Sequence, residues 1–209
     1  MTSVILLASG GLDSTTLAYW LRAQGIDVTP VFFDYGQHCV EKEWHTLNAV
    51  LPKDGGVKSP LRVDISSIFQ GSKSRLIQEA DLWTEHVVAD DLYIPYRTLL
   101  FFSAAAALAQ TKGFSEVYSG FINSNHAKEI DCSSQFLNSL DALTQDVGPV
   151  RFRLPFRDKS KVEVAQIAKS LMVPIGQTYS CQVFSDTPCG ACPNCVDRLG
   201  AIEKMDAVI

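Results

Sequence analysis

Two groups of residues in this 209-residue chain have the types and spacing to do chemistry. The first is Ser9-Gly10-Gly11-Leu12-Asp13-Ser14-Thr15-Thr16. Two residues without Cβ atoms let backbone N–H groups turn inward and approach an anion closely. Ser9, Ser14 and Thr15 add hydroxyl donors, and a helix starting here adds the positive end of its dipole. All of this converges on one phosphate site. The loop lacks the Lys that closes a Walker A sequence and the third Gly of the dinucleotide fingerprint. The plainer reading is a Gly-rich turn whose Ser and Asp cap a helix, with Asp13 a first-turn charge. The second group is Cys181, Cys189, Cys192 and Cys195, spaced C-x7-C-x2-C-x2-C. Two residues between thiolates let them close on one ion, and Gly190 and Pro193 permit the tight turns. Four thiolates around a tetrahedral Zn²⁺ make a saturated, structural site. An iron–sulfur cluster is the rival metal centre. Cys39 and Cys132 stand apart, and isolated cysteines are usually small buried hydrophobes.

A phosphate loop needs a strand before it and a helix after it. Val4 to Ala8 is a continuous β-rich apolar run, as a strand buried on both faces should be. Ser14 to Gln24 reads as a helix that Gly25 stops. The alternation continues, with strands over 28–33, 61–65, 116–121 and 151–154. Helices are expected over 40–51, 97–111, 134–145 and 161–171, and a short last one over 196–205. Residues 66–93 mix short polar and apolar pieces and read as a mobile lid. Strand–helix alternation implies a parallel sheet with helices on both faces. Such sheets bind ligands outside the carboxyl ends of their strands.

Composition narrows the classes. The chain is 46% hydrophobic, ordinary for a globular protein and against disorder. Its length suits one domain with an appendage: residues 1–175 for the phosphate site and 176–209 for the cysteine lobe. Lys and Arg number 18 against 23 Asp and Glu, a net charge of −5 that argues against a broad nucleic-acid footprint. No run is expected to span a bilayer, and no basic segment precedes Val4 to Ala8 as an export signal would need. A cytoplasmic, reducing location is expected, where clustered cysteines bind metal rather than pair.

The first loop resembles the PP-loop of the N-type ATP pyrophosphatases, patterned Ser-Gly-Gly-x-Asp-Ser. Further matches are Phe33-Asp34-Tyr35-Gly36-Gln37, Pro155 followed by Lys161-Val162-Glu163, and the tail from Ser180-Cys181 to Cys195. With these the chain is similar, end to end, to the QueC family, the 7-cyano-7-deazaguanine synthases. The resemblance implies an α/β fold: a five-stranded parallel sheet flanked by helices, of the adenine-nucleotide alpha-hydrolase type. It adds a small C-terminal zinc-binding lobe and, usually, a homodimer. It implies ATP and Mg²⁺ as cofactors beside Zn²⁺. The carboxylate of 7-carboxy-7-deazaguanine would attack the α-phosphate, releasing pyrophosphate. Ammonia would displace AMP to give the amide, and a second adenylation would lead to the nitrile. A carboxylate is a poor electrophile, so the site must supply cations and donors around the phosphates. In this reading Ser9, Gly10, Gly11, Leu12, Asp13, Ser14, Thr15 and Phe33 hold ATP. Asp13, Ser14, Arg97 and Lys161 act on its phosphates, and Tyr35 contacts the base.

Two stretches depart from the family pattern. Pro-Gly-Arg-Asn before the Ala-rich helix is Pro95-Tyr96-Arg97-Thr98 here. The loop after the fourth strand reads Asn125-His126-Ala127-Lys128-Glu129-Ile130-Asp131-Cys132-Ser133, keeping only the Asp-Cys pair. Asp131 or Glu129 is expected to accept the N–H donors of a guanine-like base, although Asp131 is equally placed to cap a helix. The departures leave two further readings open. One is a divergent QueC-like ligase, of the sort found in anti-phage systems, that passes the acyl group to another amine such as a protein N-terminus. The other is a non-catalytic nucleotide-binding module.

Overall fold

The computed structural model describes residues 3–81, 84–122, 133–182 and 187–207. Strand β1 (Ser3–Leu7) is buried from Val4 onward, as the central strand of a sheet covered on both faces must be. It pairs in parallel with β2 (Asp27–Asp34) on one side and β4 (Glu116–Ser119) on the other. The strands β3 (Leu61–Asp64) and β5 (Arg151–Arg153) form the edges, also parallel, giving the order 3-2-1-4-5. Chain direction across the sheet reverses between β1 and β4, and a crevice opens there beyond the strand ends. Leu7 lies level with Val31 and Ser119, so β1 and β4 end together, while β2 runs on to Asp34 past the same rim.

Successive side chains of β1 enter opposite layers. Val4 and Leu6 join Leu17, Ala18 and Leu21 of α1 (Leu12–Ala23), Leu47 of α2 (Val40–Val50) and Val164 of α5 (Lys161–Ser170). Ile5 and Leu7 join Phe102, Ala105 and Ala109 of α3 (Arg97–Thr111) and Leu137 and Leu140 of α4 (Ser134–Val147). Helix α6 (Pro193–Ala207) packs Met205 against Leu12, Ala165 and Ala168, so the tail rests on α1 and α5.

Local signals set the helix starts that matter. Ser160 and Glu163 form a reciprocal capping box, the Glu163 N–H donating to Ser160 Oγ at 3.2 Å and the Ser160 N–H to Glu163 Oε2 at 2.7 Å. This fixes Lys161 as the first residue of α5. Tyr96 precedes α3 in the left-handed region at φ 63° and is 76% exposed. Glycine is the residue that adopts this conformation without strain, and a tyrosine holds it here.

Among the described residues, the segment before α3 is irregular apart from two 3₁₀ turns, Ser66–Ile68 and Ala89–Leu92. Phe69, Leu76 and Ile94 anchor it. By composition, Asp90–Thr111 is long and apolar enough to cross a membrane, with a mean hydropathy of 1.3, contrary to expectation. Only its last 15 residues are α-helix, about 22 Å of rise against about 30 Å of hydrocarbon. Pro95 interrupts the stretch, and Phe102, Ala105 and Ala109 are buried in the core.

Candidate active site and thiolate cluster

The loop from Ala8 to Leu12 lies at the switch point. Gly10 takes φ 79°, and a Cβ on it would stand 2.8 Å from the Leu47 nitrogen, so α2 packs directly against the loop backbone. Gly11 caps α1 with no side-chain hydrogen bond, leaving first-turn N–H groups open to an anion. The Ser9 N–H donates to Ser14 Oγ at 3.2 Å, and the two hydroxyls lie 3.4 Å apart. Gly120, just past β4, closes the other wall: a Cβ there would stand 3.0 Å from the Asp13 carbonyl carbon.

Lys161 reaches the loop from α5, its Nζ donating to Asp13 Oδ2 at 2.5 Å. Asp13 Oδ1 and Thr15 Oγ1 are buried with no hydrogen-bond partner among the described residues. A buried acceptor left over beside a paired one suits a cation or a ligand donor. A cleft of about 420 Å³ runs from Ser9, Asp13 and Lys161 to Tyr35, Glu43 and Arg97.

The cleft's aromatic wall comes from β2 and α3. Phe33 stacks on Phe101, centroids 4.8 Å apart and planes 12° apart. Tyr35 leans on the same ring at 5.4 Å, and the Arg97 guanidinium lies over Tyr35 at 5.5 Å. Burial is the largest influence raising the Tyr35 hydroxyl above its ordinary range. Gln37, 2% exposed, accepts from the Tyr35 N–H and donates to the Phe33 carbonyl and to Glu43 Oε2. Burial pushes the Glu43 carboxyl up to about 7, against the opposing pull of hydrogen bonds from Gln37 and Cys39.

The four cysteines meet at the tail. Their Sγ atoms lie within 4.8 Å of one another, and Cys189 Sγ is 3.9 Å from Cys195 Sγ. Thiolates on one tetrahedral Zn²⁺ stand about 3.8 Å apart, so the set fits such an ion. Backbone N–H groups of Cys189 and Cys192 point at Cys181 and Cys189 sulfurs at 3.4 and 3.3 Å. The described cysteines carry free thiols, and Cys39 is buried beside the cluster. The lobe is tied to the phosphate loop. Arg198 of α6, 6% exposed, donates to the carbonyls of Thr178 and Ile175 and to the Thr178 hydroxyl. The next residue, Tyr179, donates its N–H to the Gly10 carbonyl at 3.0 Å.

Asp13, Ser14, Arg97, Lys161, Phe33 and Tyr35 thus line one cleft, and Cys181, Cys189, Cys192 and Cys195 form one cluster. Glu129 and Asp131 lie outside the described residues. From sequence, Gln37 was named only as part of the Phe33–Gln37 match, and no role was given to Gln37, Glu43, Gly120 or Arg198. The signal for Arg198 was available: an arginine three residues after the last thiolate, on the same helix.

A parallel 3-2-1-4-5 sheet with a glycine-rich phosphate loop at its switch point defines a PP-loop α/β protein. A solved 4-thiouridine synthetase in complex with RNA and bound ATP shares this fold at a TM-score of 0.57 and 19% identity, covering 99% of this chain and 50% of that one. The chain belongs to the QueC family, whose model, described as queuosine biosynthesis protein QueC, matches residues 3–206. The 7-cyano-7-deazaguanine synthase of Campylobacter hominis is 30% identical over 97% of this chain and 95% of its own length. Those of Campylobacter concisus and Methanospirillum hungatei are 29% and 28% identical, covering 100% and 96% of this chain and 97% and 94% of their own lengths.

Proposed function

We propose that the protein is an ATP-dependent ligase that adenylates the carboxylate of 7-carboxy-7-deazaguanine and couples it to ammonia. The first product is the amide; a second ATP adenylates its oxygen, AMP leaves with that oxygen, the nitrogen gives up its two protons, and 7-cyano-7-deazaguanine remains. The observation that carries this reading is the Lys161–Asp13 pair at the mouth of the phosphate loop, in one cleft with Arg97 and the aromatic wall. Residues 1–175 hold ATP, and residues 176–209 form the metal lobe that buttresses it.

The open N–H groups of the loop, with Ser9 and Ser14, hold the leaving pyrophosphate. Lys161 and Arg97 offset the charge that develops as the acid oxygen attacks the α-phosphate. Asp13 is the residue to hold Mg²⁺, an ion that neutralises phosphate charge when bound; the unpartnered Asp13 Oδ1 suits it. The acyl-adenylate gives the amine an electrophile with AMP as leaving group. Ammonia's lone pair forms the C–N bond, the C–O bond to AMP breaks, and one proton leaves the nitrogen. The four cysteines hold Zn²⁺ as a saturated structural ion. The family's habits extend to a homodimer in the cytoplasm.

The departure at Tyr96 favours a second reading. An exposed aromatic on the residue before Arg97 alters the substrate side where the family has a bare glycine. A divergent member would use the same adenylation and pass the acyl group to a larger amine, such as a protein N-terminus in an anti-phage system.

Metal-loaded protein incubated with ATP, Mg²⁺ and 7-carboxy-7-deazaguanine is expected to exchange labelled pyrophosphate into ATP. Adding ammonia then gives a nitrile by mass spectrometry. Exchange without primary amide or nitrile, with the acyl group appearing as a substituted amide on a supplied amine, selects the second reading. Tight ATP binding with no exchange sinks both.

A further inference from the structure

Glu43 is unusual among the acids of this chain. It sits in the first turn of α2 beside Glu41, which pairs with Arg62 at the surface at 2.6 Å. Two residues on, the helix has turned by about 200°, and Glu43 faces the cleft. It forms no ion pair among the described residues. Its donors are Gln37, at 2.9 Å, and Cys39. Gln37 is itself fixed at both ends of its amide, by the Tyr35 N–H and the Phe33 carbonyl. The carboxyl is therefore held in place by a rigid, buried bracket without a close ion pair among the described residues, the Arg97 charge acting on it only at longer range. Burying a carboxyl this way is costly unless a ligand completes its hydrogen bonds.

The surroundings state what that ligand looks like. Phe33 and Phe101 are stacked nearly parallel, Tyr35 leans on Phe101, and Leu76 and Leu92 line the same cleft. Flat apolar walls accept a flat heteroaromatic ring. A carboxylate offers two acceptor oxygens and no donor, so it pairs with an edge that presents adjacent N–H groups. A guanine-type ring presents that edge, a ring N–H beside an exocyclic amine. The geometry points to Glu43, held by Gln37, as the residue that reads the N–H edge of a guanine-type base. This rests on the reading of the substrate as a deazaguanine acid. It places at the start of α2 the role expected of Glu129 or Asp131.

The test uses the full metal-loaded chain and two bases that differ by one amine, 7-deazaguanine and 7-deazahypoxanthine, with ATP as control. A site built around a hydrogen-bonding edge rejects the analogue lacking it. Wild type is expected to prefer 7-deazaguanine by about 30-fold or more by calorimetry. Glu43→Gln, which keeps the shape, is expected to bring the two bases within about 3-fold of each other while ATP affinity holds. Glu43→Asp is expected to keep part of the preference, and melting curves show both variants folded. Unchanged discrimination in Glu43→Gln overturns the assignment alone. Loss of ATP affinity with intact base preference also overturns it, by giving Glu43 to the nucleotide. A wild type that binds ATP but neither base overturns the deazaguanine substrate itself, and this inference with it.

Discussion

At the scale of single residues, the cleft depends on a few charges placed with little freedom. Lys161 is fixed by the capping box at Ser160 and Glu163, so its ammonium is delivered to Asp13 from the rigid first turn of α5. Lys161→Ala is expected to lower kcat/KM for pyrophosphate exchange by about 10²–10³-fold, the cost of losing one transition-state cation. The half-buried pair adds little to folding, so the melting temperature should move by only a few degrees. A large fall in melting temperature with normal exchange would make the pair a structural strut. Glu43 gives the opposite signature. Its carboxyl sits at about 7 when folded and near the ordinary 4.5 when unfolded, because of burial. The folded state then holds the proton more tightly, so this group's contribution to stability is full below pH 4.5. That contribution is lost as pH rises through about 7. Arg97, Tyr35, Cys39 and Tyr179 are the titratable groups that act on it among the described residues. Glu43→Gln should therefore melt higher than wild type at pH 8 by a margin that shrinks toward pH 5. A margin that stays flat across this range would show that Glu43 is solvated. Lys161 and Asp13 were legible in the sequence because the family motif carries them. Glu43 was not, because Val-Glu-Lys-Glu-Trp reads as a solvated helix face, and only the packing shows that its two acids point to different worlds.

At the scale of elements, periodicity and breakers carried most of the fold. The β1 run, the Ala-rich α3 and the alternation between them needed no tertiary knowledge, because each is long or strongly patterned. The misjudged ends have one tertiary cause and one local one. The strand expected to reach residue 121 stops at Ser119, since the chain must turn at Gly120 to clear Asp13. Helix α4 extends to Val147, past the expected 145, until Gly148 ends it. The link between α6 and the phosphate loop could not be read from spacing, because it runs through backbone carbonyls. Arg198 spends its guanidinium on Thr178 and Ile175, and Tyr179 next to them holds the Gly10 carbonyl. Arg198→Met keeps most of the buried length but leaves those carbonyls without a donor. It is expected to cost about 2–4 kcal/mol in urea unfolding. ATP affinity is expected to fall as well, although Arg198 makes no bond to the loop among the described residues. If stability dropped but ATP binding of the folded fraction did not, the tether would serve folding alone.

For the whole molecule, the question is whether the tail is an ornament or a brace. Cys181 follows Tyr179 by two residues, Cys192 immediately precedes α6, and Cys195 lies in its first turn, three residues before Arg198. The cluster therefore clamps both flanks of the Arg198–Thr178 contact, and α6 also covers Leu12, the first residue of the phosphate-loop helix. A site of four thiolates contributes folding free energy only while its ion is present. One equivalent of metal per chain is expected by elemental analysis. Stripping it with a thiol-competitive chelator, under reducing conditions, should loosen α6 and then weaken ATP binding by about tenfold or more, as the Tyr179–Gly10 bond loses its support. Re-adding Zn²⁺ should restore both. Cys192→Ser should mimic the stripped state without any chelator present, which separates loss of the clamp from removal of Mg²⁺ at Asp13. A stripped protein that still binds ATP as well as the loaded one would show that the sheet and its loop stand without the lobe. The cysteine spacing would then mark a separate module rather than the far wall of the nucleotide site.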